Sequence, residues 1–95
     1  MLDYMDRVKF DKGKQREFLD LVIEKLNSPS LRGLLQFGLE TNYENLKNYY
    51  SERRLLSRDL FEDMIYLAKL RKKDFDFSYL DENWGRVKGG RNKKA

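Results

Sequence analysis

Ninety-five residues with 20 Lys+Arg, 16 Asp+Glu and 40% hydrophobic residues make room for one small domain built on one core, and leave no length for a second, catalytic domain. The chain has no cysteine and no histidine, which excludes disulfides, thiolate nucleophiles, Cys-based zinc sites and the usual proton shuttle at neutral pH, so no enzyme activity, cofactor or metal is expected. The net charge of +4 lies in the second half: residues 1–50 hold 8 bases and 8 acids, residues 51–95 hold 12 and 8, and beyond Trp84 stand five bases and no acid.

Taken in order, Tyr4 to Phe10 alternates Val8 and Phe10 with Arg7 and Lys9, the pattern of a half-buried strand over about 5–10. From Gln15 the spacing changes to Phe18, Leu19, Val22, Ile23 and Leu26, an amphipathic helix over about 15–27 that Asn27-Ser28-Pro29 ends. Pro29, capped by Ser28, opens a second helix over about 29–38 with Leu31, Leu34 and Leu35 buried and Gly38 as its stop. Thr41 or Asn42 caps a third helix over about 42–51, whose Leu46 and Tyr49 face the core while Glu44, Asn45, Lys47, Asn48 and Ser51 lie opposite. Ser57 caps a fourth over about 57–72, acidic at its start (Asp59, Glu62, Asp63) and basic at its end (Lys69, Arg71, Lys72, Lys73), in the sense the helix dipole favours. Phe75, Phe77 and Tyr79 then alternate in a strand over about 74–80, whose one available pairing partner is the N-terminal strand. Residues 84–95, rich in glycine and bases, form a flexible basic arm. No run approaches the roughly 20 apolar residues of a bilayer span, and MLDYMDRVKF lacks the basic and apolar segments of a signal peptide; a cytoplasmic protein without a membrane partner is expected.

The stretch Leu31 to Leu70 resembles the helix-turn-helix of lambda-repressor/Cro-like regulators, also called the xenobiotic-response-element class. Leu31, Leu34 and Leu35 take the second-helix positions, Gly38-Leu39-Glu40 the turn, Leu46 and Tyr49 the apolar and aromatic pair, Arg53-Arg54-Leu55-Leu56-Ser57 the connector, and Leu60, Met64, Leu67 and Ala68 the closing helix. The interval from Gly38 to Leu46 is longer than the usual turn by about two residues, Glu52 stands where glycine is common, and Leu56 where proline is common. The flanks KGKQREFL and ENWGRVKGG are similar to segments of archaeal helix-turn-helix modules, some attached to homing-endonuclease-like chains. The resemblance implies a mainly α fold: a four-helix Cro/repressor-like helix-turn-helix domain over residues 1–83, with a small two-stranded ribbon formed by its N- and C-terminal flanks.

It further implies sequence-specific binding of double-stranded DNA by residues 42–51, in a transcription regulator or a targeting module. An asparagine amide can pair bidentately with adenine, so Asn45 and Asn48 are the first candidates for base contacts, with Lys47 beside them. Tyr43, Ser51, Arg53 and Arg54, with Arg86, Lys88, Arg91, Lys93 and Lys94 of the arm, are candidates for the phosphate backbone. A homodimer is left open, and no small-molecule ligand is expected. Two other readings compete: a protein-interaction module using Tyr43, Tyr50 and Trp84, and an RNA binder stacking the same aromatics on bases. Asp59, Glu62 and Asp63 could be taken for a metal-binding cluster, but their place in the first turns of a helix favours dipole compensation.

Overall fold

In a computed structural model, which describes residues 6–81, the chain runs β1 (Asp6–Phe10), α1 (Lys14–Lys25), a 3-10 helix (Arg32–Phe37), α2 (Tyr43–Tyr50), β2 (Leu56–Ser57), α3 (Arg58–Leu67), a second 3-10 helix (Lys72–Asp74) and β3 (Phe77–Asp81). The strands form one antiparallel sheet in the order β2-β1-β3. Val8 stands opposite Leu56 on one side and Tyr79 on the other, and Phe10 opposite Phe77, so one face of the sheet is apolar and lies against the helices. Four rings form the centre of the core: Phe18 lies 5.6 Å from Phe10 and 5.1 Å from Phe61, and Phe61 lies 4.8 Å from Phe77. Leu19, Val22, Leu34, Leu46, Leu60 and Met64 close around them, all buried.

This is not the four-helix helix-turn-helix with a two-stranded ribbon that the sequence suggested. Three differences overturn it. The segment expected as a helix over 29–38 forms 3-10 turns alone, because the chain leaving α1 folds tightly onto it: a Cβ at Gly33 would lie 2.5 Å from Ser28 Oγ and 3.0 Å from Pro29 Cδ. Ser28 does not cap that helix; its hydroxyl donates to the Ser30 carbonyl. The helix expected over 57–72 stops at Leu67, where Lys69 turns left-handed (φ 57) and the Leu70 N–H returns to the Ile65 carbonyl, laying Leu70 on the core. The flanking strands do pair with each other, but Leu56-Ser57, read as connector, adds on the far edge of β1 and makes the sheet three-stranded. The basic arm lies outside the described residues.

Two caps hold the helices where the sequence placed them. Asn42 Oδ1 accepts from the Asn45 N–H at the start of α2, and Ser57 Oγ from the Leu60 N–H at the start of α3. Helix α1 has no such local cap, since its first residue is preceded by Gly13 in left-handed backbone. Its free N–H groups are taken instead by Glu52, from the loop after α2: the carboxylate accepts from Gly13 N (2.9 Å) and Arg16 N (3.0 Å). Beside it Gln15, only 3% exposed, donates to the carbonyls of Tyr49 (2.7 Å) and Arg54 (2.9 Å) and accepts from the Leu56 N–H (3.1 Å). One amide thus ties α1 to the end of α2 and to β2.

At the other end of the molecule Glu62 Oε2 accepts from Arg58, Lys72 and Tyr79, and Arg58 reaches on to Asp6 at 2.8 Å. Lys72 first, then the Tyr79 hydroxyl and Arg58, hold the Glu62 carboxyl below the usual carboxylate range. The network fastens α3 to β1, β3 and the second 3-10 helix.

Replacing Gln15 with Leu keeps the bulk but strands the buried Tyr49 carbonyl and Leu56 N–H and the partly buried Arg54 carbonyl; unfolding in urea should show a loss of about 2–4 kcal/mol, and a loss below about 0.5 kcal/mol would mean that the amide is dispensable. The Glu52 carboxyl lies below its ordinary pKa, chiefly through the Gly13 N–H and then that of Arg16. A folded pKa below the unfolded value means stabilisation that is complete above the unfolded value of about 4.3 and is lost as pH falls through the folded one. Glu52→Gln should therefore destabilise by about 0.5–1.5 kcal/mol at neutral pH, the gap from wild type closing in acid. A gap that does not change with pH would assign the cost to the backbone rather than to the charged cap.

Candidate nucleic-acid interface

Helix α2 is anchored by one buried side. Leu46 (0% exposed) and Tyr49 (5%) point into the core, as their spacing predicts. With roughly 100° between successive residues, that placement sends Glu44, Lys47 and Ser51 outward, where all three are exposed, and sets Asn48 and, nearer the core, Asn45 on one flank, where both are half-buried. The proposed base-contact residues therefore divide: Asn45 and Asn48 follow one flank of the helix, and Lys47 shares the other with Tyr43. No hydrogen bond engages the Asn45 or Asn48 side-chain amide among the described residues.

The helix ends carry the cations. At the N-terminal end the Arg32 guanidinium, from the 3-10 helix, lies 4.3 Å from the centre of the Tyr43 ring, and Lys47 Nζ lies 5.2 Å from it. Lys47 also pairs loosely with Glu44 at 3.5 Å, both side chains about half exposed or more. At the C-terminal end, Arg53 and Arg54 are exposed, and their N–H groups return to the Asn48 carbonyl. Among the described residues none of Arg32, Arg53 and Arg54 has an ion-pair partner. Arg32 lay outside the sequence reading. Its signal was slight, a lone base in an apolar run, and only the fold brings it against Tyr43.

Other candidates are engaged elsewhere. Ser51 Oγ donates to the Asn48 carbonyl. Tyr50 donates to Asp20 (2.9 Å) and lies under the Arg16 guanidinium, and the hydrogen bond to Asp20 holds its hydroxyl above the ordinary phenol range. Tyr43 and Tyr50 are thus each covered by an arginine rather than presenting a bare aromatic surface, and Trp84 lies outside the described residues, as do Arg86, Lys88, Arg91, Lys93 and Lys94. Asp59 caps the dipole of α3, Glu62 is spent on its three donors, and among the described residues no group of three or more His, Cys, Asp or Glu side chains is placed to hold a metal ion.

The described residues carry 15 bases and 14 acids, so this face is set in a nearly neutral domain. No helix among them is long and apolar enough to cross a membrane. No protein-family model, curated protein or solved structure matches the chain.

Proposed function

We propose that the chain binds double-stranded DNA through the outward side of α2, as a cytoplasmic transcription regulator or the targeting module of a larger assembly. The observation that carries this reading is the order of groups along α2: at one end Arg32, stacked on Tyr43, then the Asn45 and Asn48 side-chain amides, and at the other end Arg53 and Arg54. Among the described residues none of the three arginines has an ion-pair partner and neither side-chain amide a hydrogen bond. An eight-residue helix is about 12 Å long, close to the width of the major groove. Arg32 at one end and Arg53 and Arg54 at the other would then stand near the phosphates on either side, which fixes register without reading sequence. Asn48 and Lys47 would meet base edges, and Asn45 would reach them only from the rim. The five bases Arg86, Lys88, Arg91, Lys93 and Lys94 would add attraction to phosphate that the nearly neutral domain lacks.

The reading is tested by selecting a duplex from random DNA and measuring affinities for it and for a scrambled duplex. Asn48→Ala should weaken binding to the selected site by about 1–3 kcal/mol and leave the scrambled duplex nearly unchanged, with Asn45→Ala the milder of the two. Arg53→Ala with Arg54→Ala should weaken both duplexes alike and shallow the salt slope by up to about two units. Equal losses on both duplexes for Asn48→Ala would remove direct readout, and preference for single-stranded RNA in competition would remove the duplex itself.

A further inference from the structure

Among the described residues three that are not glycine adopt left-handed backbone, and each ends one α-helix: Asn27 (φ 54), Glu52 (φ 64) and Lys69 (φ 57). In each case the following N–H returns to a carbonyl five residues back, at 2.9 Å. Glycine is the usual occupant of such a position. Asparagine tolerates it. Glu52 has a task there, since its carboxylate caps α1. Lys69 is exposed, and its ammonium has no partner among the described residues.

Lys69 borders an apolar strip that no other element covers among the described residues. Tyr66 is 81% exposed and Phe37 is 37% exposed, with Leu67 and Leu70 half-buried beside them. Tyr66 and Leu67 form a ridge between two shallow hollows, one walled by Phe37, Leu39, Glu40 and Asp63, the other by Ile65, Lys69 and Leu70. Asp63 and Lys69 stand three residues before and three after Tyr66 and do not pair with each other. Asp63 and Glu40, like Lys69, have no ion-pair partner among the described residues.

That order, acid then tyrosine then base, is complementary to itself when reversed. We propose that the strip is a homodimer interface in which α3 of one copy lies antiparallel on α3 of a second, across a two-fold axis near Tyr66. Each Tyr66 enters a hollow beside the ridge of the other copy, and Asp63 and Glu40 of each face the partner's Lys69. A parallel arrangement would set acid on acid and base on base. The strip comprises four apolar residues, Phe37, Tyr66, Leu67 and Leu70, few beside the roughly 20–30 residues a side of a standard interface, so the dimer is weak, dissociating at about 10–100 μM.

Sedimentation of the full chain without nucleic acid, from about 5 μM to about 500 μM, tests this independently of the α2 reading, because no DNA is present. The wild type should shift from monomer to dimer over that range. Tyr66→Ala should weaken association at least about tenfold, and Asp63→Lys and Lys69→Glu should each weaken it. The double exchange should restore it. Lys69→Gly should raise the melting temperature while weakening the dimer, a split that a purely structural lysine would not give. A monomer throughout the range, a dimer indifferent to Tyr66→Ala, or a double exchange no better than the single ones would each overturn the proposal.

Discussion

The buried amide of Gln15 is the constraint on which the arrangement of the chain depends. Its two N–H groups and its oxygen are all used, by carbonyls at Tyr49 and Arg54 and by the N–H of Leu56, groups that lie 34, 39 and 41 residues away. Those three groups belong to the end of α2, the loop after it and the start of β2, so a single side chain fixes where α2 stops and where the chain rejoins the sheet. The loop has no regular structure with which to satisfy its own backbone, and burial without partners would cost about 1–3 kcal/mol for each group. Glu52 works beside it in the opposite direction. The left-handed backbone at Glu52 costs about 1 kcal/mol, and the carboxylate it positions offsets that by taking two of the free N–H groups of α1. Helix α1 thereby receives its cap from the loop whose course its own glutamine determines.

The second brace, around Glu62, has a different character. Its members are partly exposed and charged, and water competes for each of them, so its worth lies in orientation more than in energy. It sets α3 across β1 and β3 with its Leu60, Phe61 and Met64 side inward. The consequence is a division of the surface. The polar groups around α1 and the sheet are committed to holding the fold, whereas the outward side of α2 and the Tyr66 side of α3 carry groups that the fold does not use. A side chain left without a task inside the domain is where a partner has something to gain.

What could be read from the sequence was whatever depended on neighbours a few residues away. Val8 and Phe10 alternate, Leu46 and Tyr49 are three apart, and Asn42 and Ser57 precede apolar runs; each pattern has one local physical meaning and the structure follows it. The segment from Arg32 to Phe37 failed because its pattern is ambiguous: Leu31, Leu34 and Phe37 repeat every three residues, the period of a 3-10 helix, while adding Leu35 made the same stretch look α-helical. Leu56-Ser57 failed because two residues have no period. Gln15 and Glu52 were beyond reach for another reason. A polar residue in the first turn of a helix or in a charged connector looks solvated, and only contacts more than thirty residues away reveal one as buried and the other as a cap. The same limit applied to the candidate interface, where Asn45, Lys47 and Asn48 were visible as a helix face but Arg32 was not.

The charge distribution bears on how such a domain could divide affinity from selectivity. With 15 bases and 14 acids in residues 6–81, the folded part generates little long-range field, and Glu44 stands on the same outward side as Lys47. An acid amid the proposed contacts disfavours loose, non-specific docking on phosphate, because it must be desolvated near like charge unless Lys47 remains beside it. Docking that keeps Lys47 beside Glu44 while Lys47 and Asn48 face the bases would avoid that cost. In the proposed docking the acid would therefore act against alignments that separate it from Lys47, and a nearly neutral helix face with a separate run of bases elsewhere in the chain is a physically coherent way to obtain selectivity from few contacts.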